Sequence, residues 1–157
     1  TKCKWMNQQH IMRLAPEKFV ELSMPFCTKA GLEDTAQLRE LLPAVQTKVQ
    51  LLSETPAWVK WVQTLEYEEE SMAKLQENAR EMLNLFVDAA KGIEEWSGEA
   101  AFQIVKPLAK ANGVKVGAMM FPLRMALTGC HAGPGIDVVM QTLGRDEVLR
   151  RIEIFPC

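Results

Sequence analysis

Apolar residues recur at three- and four-residue spacing along almost the whole chain, and no stretch alternates with period two long enough to be a strand. The spacing predicts short helices throughout. Asn7 is placed to cap a short helix running toward Leu14. Pro16 suits the first turn of a second helix that turns Phe19, Val20 and Leu22 inward. Pro25 and Gly31 punctuate the next stretch. Asp34 or Thr35 then opens a run through Leu38, Leu41, Leu42, Val45 and Val49, with Pro43 predicting a break near Leu42. Ser53-Glu54-Thr55-Pro56 has the form of a helix start, and the helix it predicts carries Trp58, Trp61, Val62 and Leu65. Core packing is the expected role of these tryptophans, with stacking on RNA bases the alternative.

In the second half, Glu68-Glu69-Glu70-Ser71 precedes an amphipathic pattern through Met72, Leu75, Ala79, Met82, Leu83, Phe86 and Ala90. Acidic residues at a helix start complement the macrodipole, so a solvated helix end is expected there. Ser97 or Gly98 opens a helix through Ala101, Ile104, Leu108 and Ala111 that stops at Asn112-Gly113. Val114–Leu127 is the next, bent at Pro122 and ended by Thr128-Gly129. Gly133-Pro134-Gly135 leads into a helix that Gly144 stops, and Asp146 caps a last one over Glu147–Ile154. Short helices with brief links are the mark of an all-α protein. The acidic run divides it into two small helical subdomains, 1–67 and 68–157.

Composition narrows the classes. At 48% apolar the chain can build a packed core. Cys3, Cys27, Cys130 and Cys157 lack CxxC spacing and have only His10 and His131 to complement them, so neither a zinc site nor a disulfide framework is expected. Free thiols suit a reducing cytoplasmic compartment. No membrane span and no signal peptide is expected. The opening Thr1 and the mid-protein look of Lys2–Asn7 suggest an excised fragment or a processed start. Net charge is −2, but it is unevenly spread: +2 over residues 1–65, −6 over 66–98 and +2 over 99–157. Phosphate binding depends on local patches rather than the total, so the charge leaves a nucleic-acid partner open.

Catalytic signatures are missing: there is no GxxxxGK[ST], no GxGxxG after a strand, no HExxH and no GxSxG. Cys130-His131 offers a nucleophile and a base, but adjacent side chains usually point apart. Phe121–Gly135 (FPLRMALTGCHAGPG) is more informative. Two glycines around Pro134 make a rigid loop with exposed amides and little bulk, able to approach a splayed RNA base closely. Arg124 can stack on a base or grip a phosphate with its planar fork. The residues alone leave two readings open: a base-reading loop, or an ordinary corner with a surface arginine.

Motifs at the two ends bear on that choice. Lys2-Cys3-Lys4-Trp5-Met6-Asn7-Gln8-Gln9-His10-Ile11 resembles the K-L-x-W-L-N-x-x-Y-I-like entry to the helical C-terminal half of bacterial-type glutamyl-tRNA synthetases. Phe121–Gly129, Gly133–Gly135 and Leu143–Ile152 resemble that family's late F-x-P-L-R-x-A-L-T-G…G-P-G and L-G-x-E-x-x-L-x-R-L-like motifs, in the right order. The resemblance covers essentially the whole chain. It implies an all-α anticodon-binding region whose partners are the anticodon loop of tRNA-Glu, with tRNA-Gln a further candidate, and a preceding class I catalytic domain. That domain would use ATP and Mg²⁺. Its HIGH-like and KMSKS-like motifs do not occur here, so no cofactor and no aminoacylation is expected of this chain alone. A monomer is expected. By resemblance Arg124, Gly133, Pro134, Gly135 and Ile136 contact anticodon bases. Lys48, in Pro43–Val49, stands where the family often has a base-reading arginine, and it cannot offer a bidentate fork. His10 replaces the usual tyrosine and is expected to be a packing change. A helical protein-interaction module using the tryptophan-bearing faces is the competing reading.

Overall fold

The computed structural model describes residues 2–157. Those residues form helices and turns, with no strand among them. The chain divides into two compact units, Thr1–Thr64 and Leu65–Cys157, and each is described by itself.

The first unit opens with α1 (Lys2–Arg13) and α2 (Pro16–Lys29). Asn7 is not a cap. It lies inside α1 and its side-chain amide donates to the Gln50 carbonyl, so a longer helix forms around a tertiary anchor. Pro25 does not end α2 either. Both Pro25 and Glu21 are exposed, so the carbonyl that loses its amide partner sits on the solvent side, while Phe19, Val20, Met24 and Cys27 hold the helix to the core. Thr35 caps α3 (Ala36–Leu41) by accepting from the Leu38 amide at 3.1 Å. Pro43 has no N–H for the Arg39 carbonyl, and the chain tightens there into a 3₁₀ turn over Leu42–Val45. Val49 follows the turn over residues 46–48, fully buried but outside any helix. Buried Gln46 donates to the carbonyls of Ile11 and Leu14, fastening the end of α1 to this turn.

A further 3₁₀ turn (Leu52–Glu54) precedes α4 (Thr55–Val59) and another follows over Lys60–Val62. The expected Ser or Thr cap is absent: Glu54 holds the cap position without a side-chain bond, and Thr55 is buried at the first helical position. Trp61 is core, its indole N–H donating to the Trp58 carbonyl at 2.8 Å. His10, expected as a packing substitution, is exposed.

The second unit begins with α5 (Glu69–Met72), so the acidic run is itself helical. The long helix expected from Met72 starts later, as α6 (Ala79–Ala90), because residues 73–78 turn between the two. Ser97 caps α7 (Gly98–Gln103) through the Ala100 amide. The single helix expected to Ala111 is two: Pro107 cannot donate to the Gln103 carbonyl, and the chain breaks at Ile104 before α8 (Val105–Ala111). α9 (Val116–Thr128) is central, packed against α6, α8 and α10 (Ile136–Ile154), with Leu123, Met125, Ala126 and Leu127 in the core. Gly144, at φ 80°, interrupts α10. Gly98 permits the close approach of α7 to α10, since a Cβ there would lie 1.9 Å from the Asp137 carbonyl oxygen.

Candidate nucleic-acid interface

Arg124 leaves α9 one turn before the helix ends, and the end is built to hold still. Gly129 takes the left-handed φ of 73° and its amide closes on the Met125 carbonyl at 2.9 Å. A Cβ on Gly129 would sit 1.8 Å from the Glu66 carbonyl oxygen, and the Gly129 carbonyl accepts from the Glu68 amide at 2.7 Å. Thr128 turns its hydroxyl back to the Arg124 carbonyl at 2.9 Å and accepts from the Cys130 amide. From the far side, Arg151 of α10 donates to the Leu127 carbonyl at 2.7 Å and to Glu147 at 2.8 Å. Arg151 is only 4% exposed, so a full charge is buried to satisfy the helix end. Hydrogen bonds from Arg150 and then Arg151 hold the Glu147 carboxyl down at about 2.

The loop beyond Gly129 returns onto Arg124. Its Nη1 donates to the Pro134 carbonyl oxygen at 2.8 Å, and a Cβ on Gly133 would come within 3.4 Å of that nitrogen. Arg124 is half-buried. Burial pulls its guanidinium below the ordinary arginine value and Asp137 opposes the shift, yet an arginine so placed stays charged. One bond through Nη1 leaves further donors of the fork for a ligand. Arg124, Gly133, Pro134 and Gly135 are therefore brought together. Ile136 differs: its side chain is 2% exposed and belongs to the core, and Pro134 is buried too, so the stretch from Gly133 to Ile136 can meet a ligand only through backbone and the bare faces of its glycines. Lys48 belongs to the first unit. It is exposed on the turn that Gln46 and Val49 pin down.

Glu68, Ser71 and His131 support the loop and were not legible beforehand. His131 Nδ1 lies 2.7 Å from the Glu68 carboxylate, 63 residues away in sequence, and Ser71 donates to the same carboxylate at 2.9 Å. The His131 contact, with Ser71 and Cys130 adding, lowers the Glu68 carboxyl below the usual range. These residue types suggest a hydrolytic triad, but the geometry is wrong. Acid and hydroxyl both face Nδ1, whereas a relay needs them on opposite ring nitrogens. No local pattern in the sequence could have joined them, because the pairing is made by the Gly129 turn. Among the described residues, no three His, Cys, Asp or Glu side chains converge as metal ligands, and no helix is long and apolar enough to cross a membrane.

An all-helical module presenting an arginine fork beside a glycine-rich backbone has the parts of an RNA-binding domain. The family model of the anticodon binding domain matches residues 18–155, and the chain belongs to that family. Its relatives are glutamate–tRNA ligases. That of Akkermansia muciniphila is 44% identical over 155 residues, covering 99% of this chain and 36% of that protein. That of Thermus thermophilus is 32% identical over 157 residues, covering 97% and 33%. The chain thus spans about a third of the length of the curated relatives it matches. A solved glutamate–tRNA ligase from Elizabethkingia meningosepticum superposes with a TM-score of 0.81 at 19% identity, over 96% of this chain and 30% of that one. The glutamate–tRNA synthetase of Elizabethkingia anophelis gives 0.79 at 22%, over 96% and 30%. At those identities the superpositions speak for the fold, which is all-α in agreement with the periodicity.

Proposed function

We propose that this chain is the non-catalytic C-terminal part of a glutamate–tRNA ligase and holds the anticodon loop of tRNA-Glu. Arg124 and the backbone of Gly133–Ile136 contact the anticodon bases, and Lys48 contributes from the first unit. The observation that carries this reading is the Arg124 fork held on the Pro134 carbonyl, which fixes a cation beside an open glycine backbone. In the longer cytoplasmic protein, a catalytic domain beyond this chain would join glutamate to the tRNA with ATP and Mg²⁺. The protein acts as a monomer. Lysine at 48 reads its base less strictly than arginine would, so tRNA-Gln is a second candidate substrate.

The test is binding of a tRNA-Glu anticodon stem-loop to this chain by fluorescence anisotropy, repeated with scrambled and tRNA-Gln loops and over a range of salt. Affinity that falls with salt and depends on both loop sequence and Arg124 supports the reading. Binding indifferent to both would remove it. The remainder of the longer protein is the proposed second partner, favoured by α1, where Trp5 is 60% exposed and Met6 and Met12 stand open beside it.

A further inference from the structure

The second unit carries more acid than base, yet its 37 residues from Ala100 to Ile136 contain no Asp or Glu at all. Lys106, Lys110, Lys115 and Arg124 are the charges of that stretch. Three large apolar side chains stand exposed in the unit: Phe102, Val116 and Ile154. Two of them, Phe102 at 44% and Val116 at 39%, line a single open cavity of about 660 Å³ between α7, α8 and α9. Met120 and Pro107 complete its apolar walls, and Lys106 and Lys110 line it as well. No carboxylate lines it. The nearest in sequence, Glu99, is engaged by the side chain of Gln103 at 3.2 Å. Neither lysine is ion-paired among the described residues.

We infer that this cavity is a second nucleotide subsite, in which one unstacked nucleobase lies against Phe102 while Lys106 and Lys110 hold the adjoining phosphates. The inference rests on the anticodon-binding reading and extends it to side chains outside the Arg124 loop. Three features argue for a base over an apolar protein side chain. The more exposed of its two open apolar side chains, Phe102, is aromatic and supplies a ring to stack on. The flanking charges are of one sign and unneutralised, which suits phosphate and gives a partner helix no complement for its own basic residues. The site also lies close to the proposed base-reading corner: Met120 precedes Arg124 by one turn of α9, about 6 Å along the axis. Stacking without a base-edge partner makes the subsite tolerant of base identity, in contrast to a loop that presents backbone amides.

The experiment measures binding of the tRNA-Glu anticodon stem-loop to this chain and to four variants, Phe102→Ala, Phe102→Leu, Lys106→Gln/Lys110→Gln and Arg124→Ala, with circular dichroism melts confirming that each is folded. Phe102→Ala is expected to weaken binding by roughly five- to a hundredfold, and Phe102→Leu nearly as much, because leucine keeps the volume but not the ring. The double lysine variant is expected to flatten the plot of log affinity against log salt by about 1.4, or 0.7 for each phosphate released. A loop carrying 2-aminopurine at successive positions should show quenching at one position that Phe102→Ala restores. If Arg124→Ala weakens binding while the Phe102 and lysine variants match the parent in affinity and salt slope, the subsite is refuted and the anticodon reading stands. If no variant, Arg124→Ala included, changes a measurable affinity, both fail.

Discussion

Arg124 and Pro134 lie ten residues apart in sequence and are joined by one hydrogen bond, from Nη1 to a main-chain carbonyl oxygen at 2.8 Å. On the proposed anticodon reading, that bond restrains the guanidinium before RNA binds, so ordering its long side chain costs less on binding. Arg124→Ala is therefore expected to reduce affinity for the tRNA-Glu anticodon stem-loop by about 1.5–3 kcal/mol, roughly ten- to a hundredfold. Arg124→Lys keeps the charge and loses the fork, and should recover less than half of that loss. Fluorescence anisotropy titrations of the two variants decide it.

Gly129 and Gly117 should respond oppositely to the same substitution. Gly129→Ala forces a Cβ into the left-handed region and against the Glu66 carbonyl oxygen, and is expected to cost about 2–4 kcal/mol. Gly117 lies in α9 with open space where a Cβ would go, and Gly117→Ala should stabilise by about 0.5–1 kcal/mol. Urea denaturation curves of both variants test the contrast, which an unstrained Gly129 turn would not produce.

Glu147 predicts a particular response to acid. Its folded value of about 2 lies below the ordinary 4.5, so its contribution to stability is complete above pH 4.5 and is lost as pH falls from there through about 2. Thermal melts from pH 7 down to 2.5 should show this loss in the parent, and Glu147→Gln should be less stable at pH 7 by about 2 kcal/mol with a flatter acid limb. Glu68, also lowered, adds to the same window with the same sign. A Glu147→Gln variant with the parent's acid profile would show that the Arg150–Glu147–Arg151 cluster contributes nothing.

Gln46 links the Lys48 turn to α1, and its amide reaches the carbonyls of Ile11 and Leu14 at 2.8 and 2.9 Å. Gln46→Leu leaves both carbonyls without that donor in a buried setting and is expected to cost about 1–3 kcal/mol. If the turn positions Lys48 for RNA, Gln46→Leu should also reproduce the affinity loss of Lys48→Ala, and the double variant should lose little more than either alone.

Much of the architecture was legible because its signals are local. Thr35 and Ser97 as caps, Pro16 at a helix start, Pro43 as a break and Gly129 as a left-handed stop each act within a turn of their own position. Other features depend on distant partners. Asn7 sits mid-helix with its amide on the Gln50 carbonyl, and Glu68 is tied to Gly129 and His131. Both sets of partners lie more than 40 residues away, which periodicity does not see. Pro107 is different: its break at Ile104 was available from proline's missing N–H. At the site, motif spacing pointed to Arg124 and the Gly133–Gly135 loop. It could not show that Ile136 turns into the core while Gly135 and Asp137 on either side stay at the surface.

The acceptor that fixes Arg124 is a peptide oxygen, and that has a consequence for engineering. Ala132 is exposed, and its side chain has no part in the Arg124–Pro134 bond. An exchange at 132 therefore changes the exposed surface of the loop and leaves the Arg124–Pro134 bond in place. The corner behaves as a fixed mount with a replaceable face, and, on the proposed anticodon reading, a small library at position 132 is the direct way to retune which loop sequences it accepts.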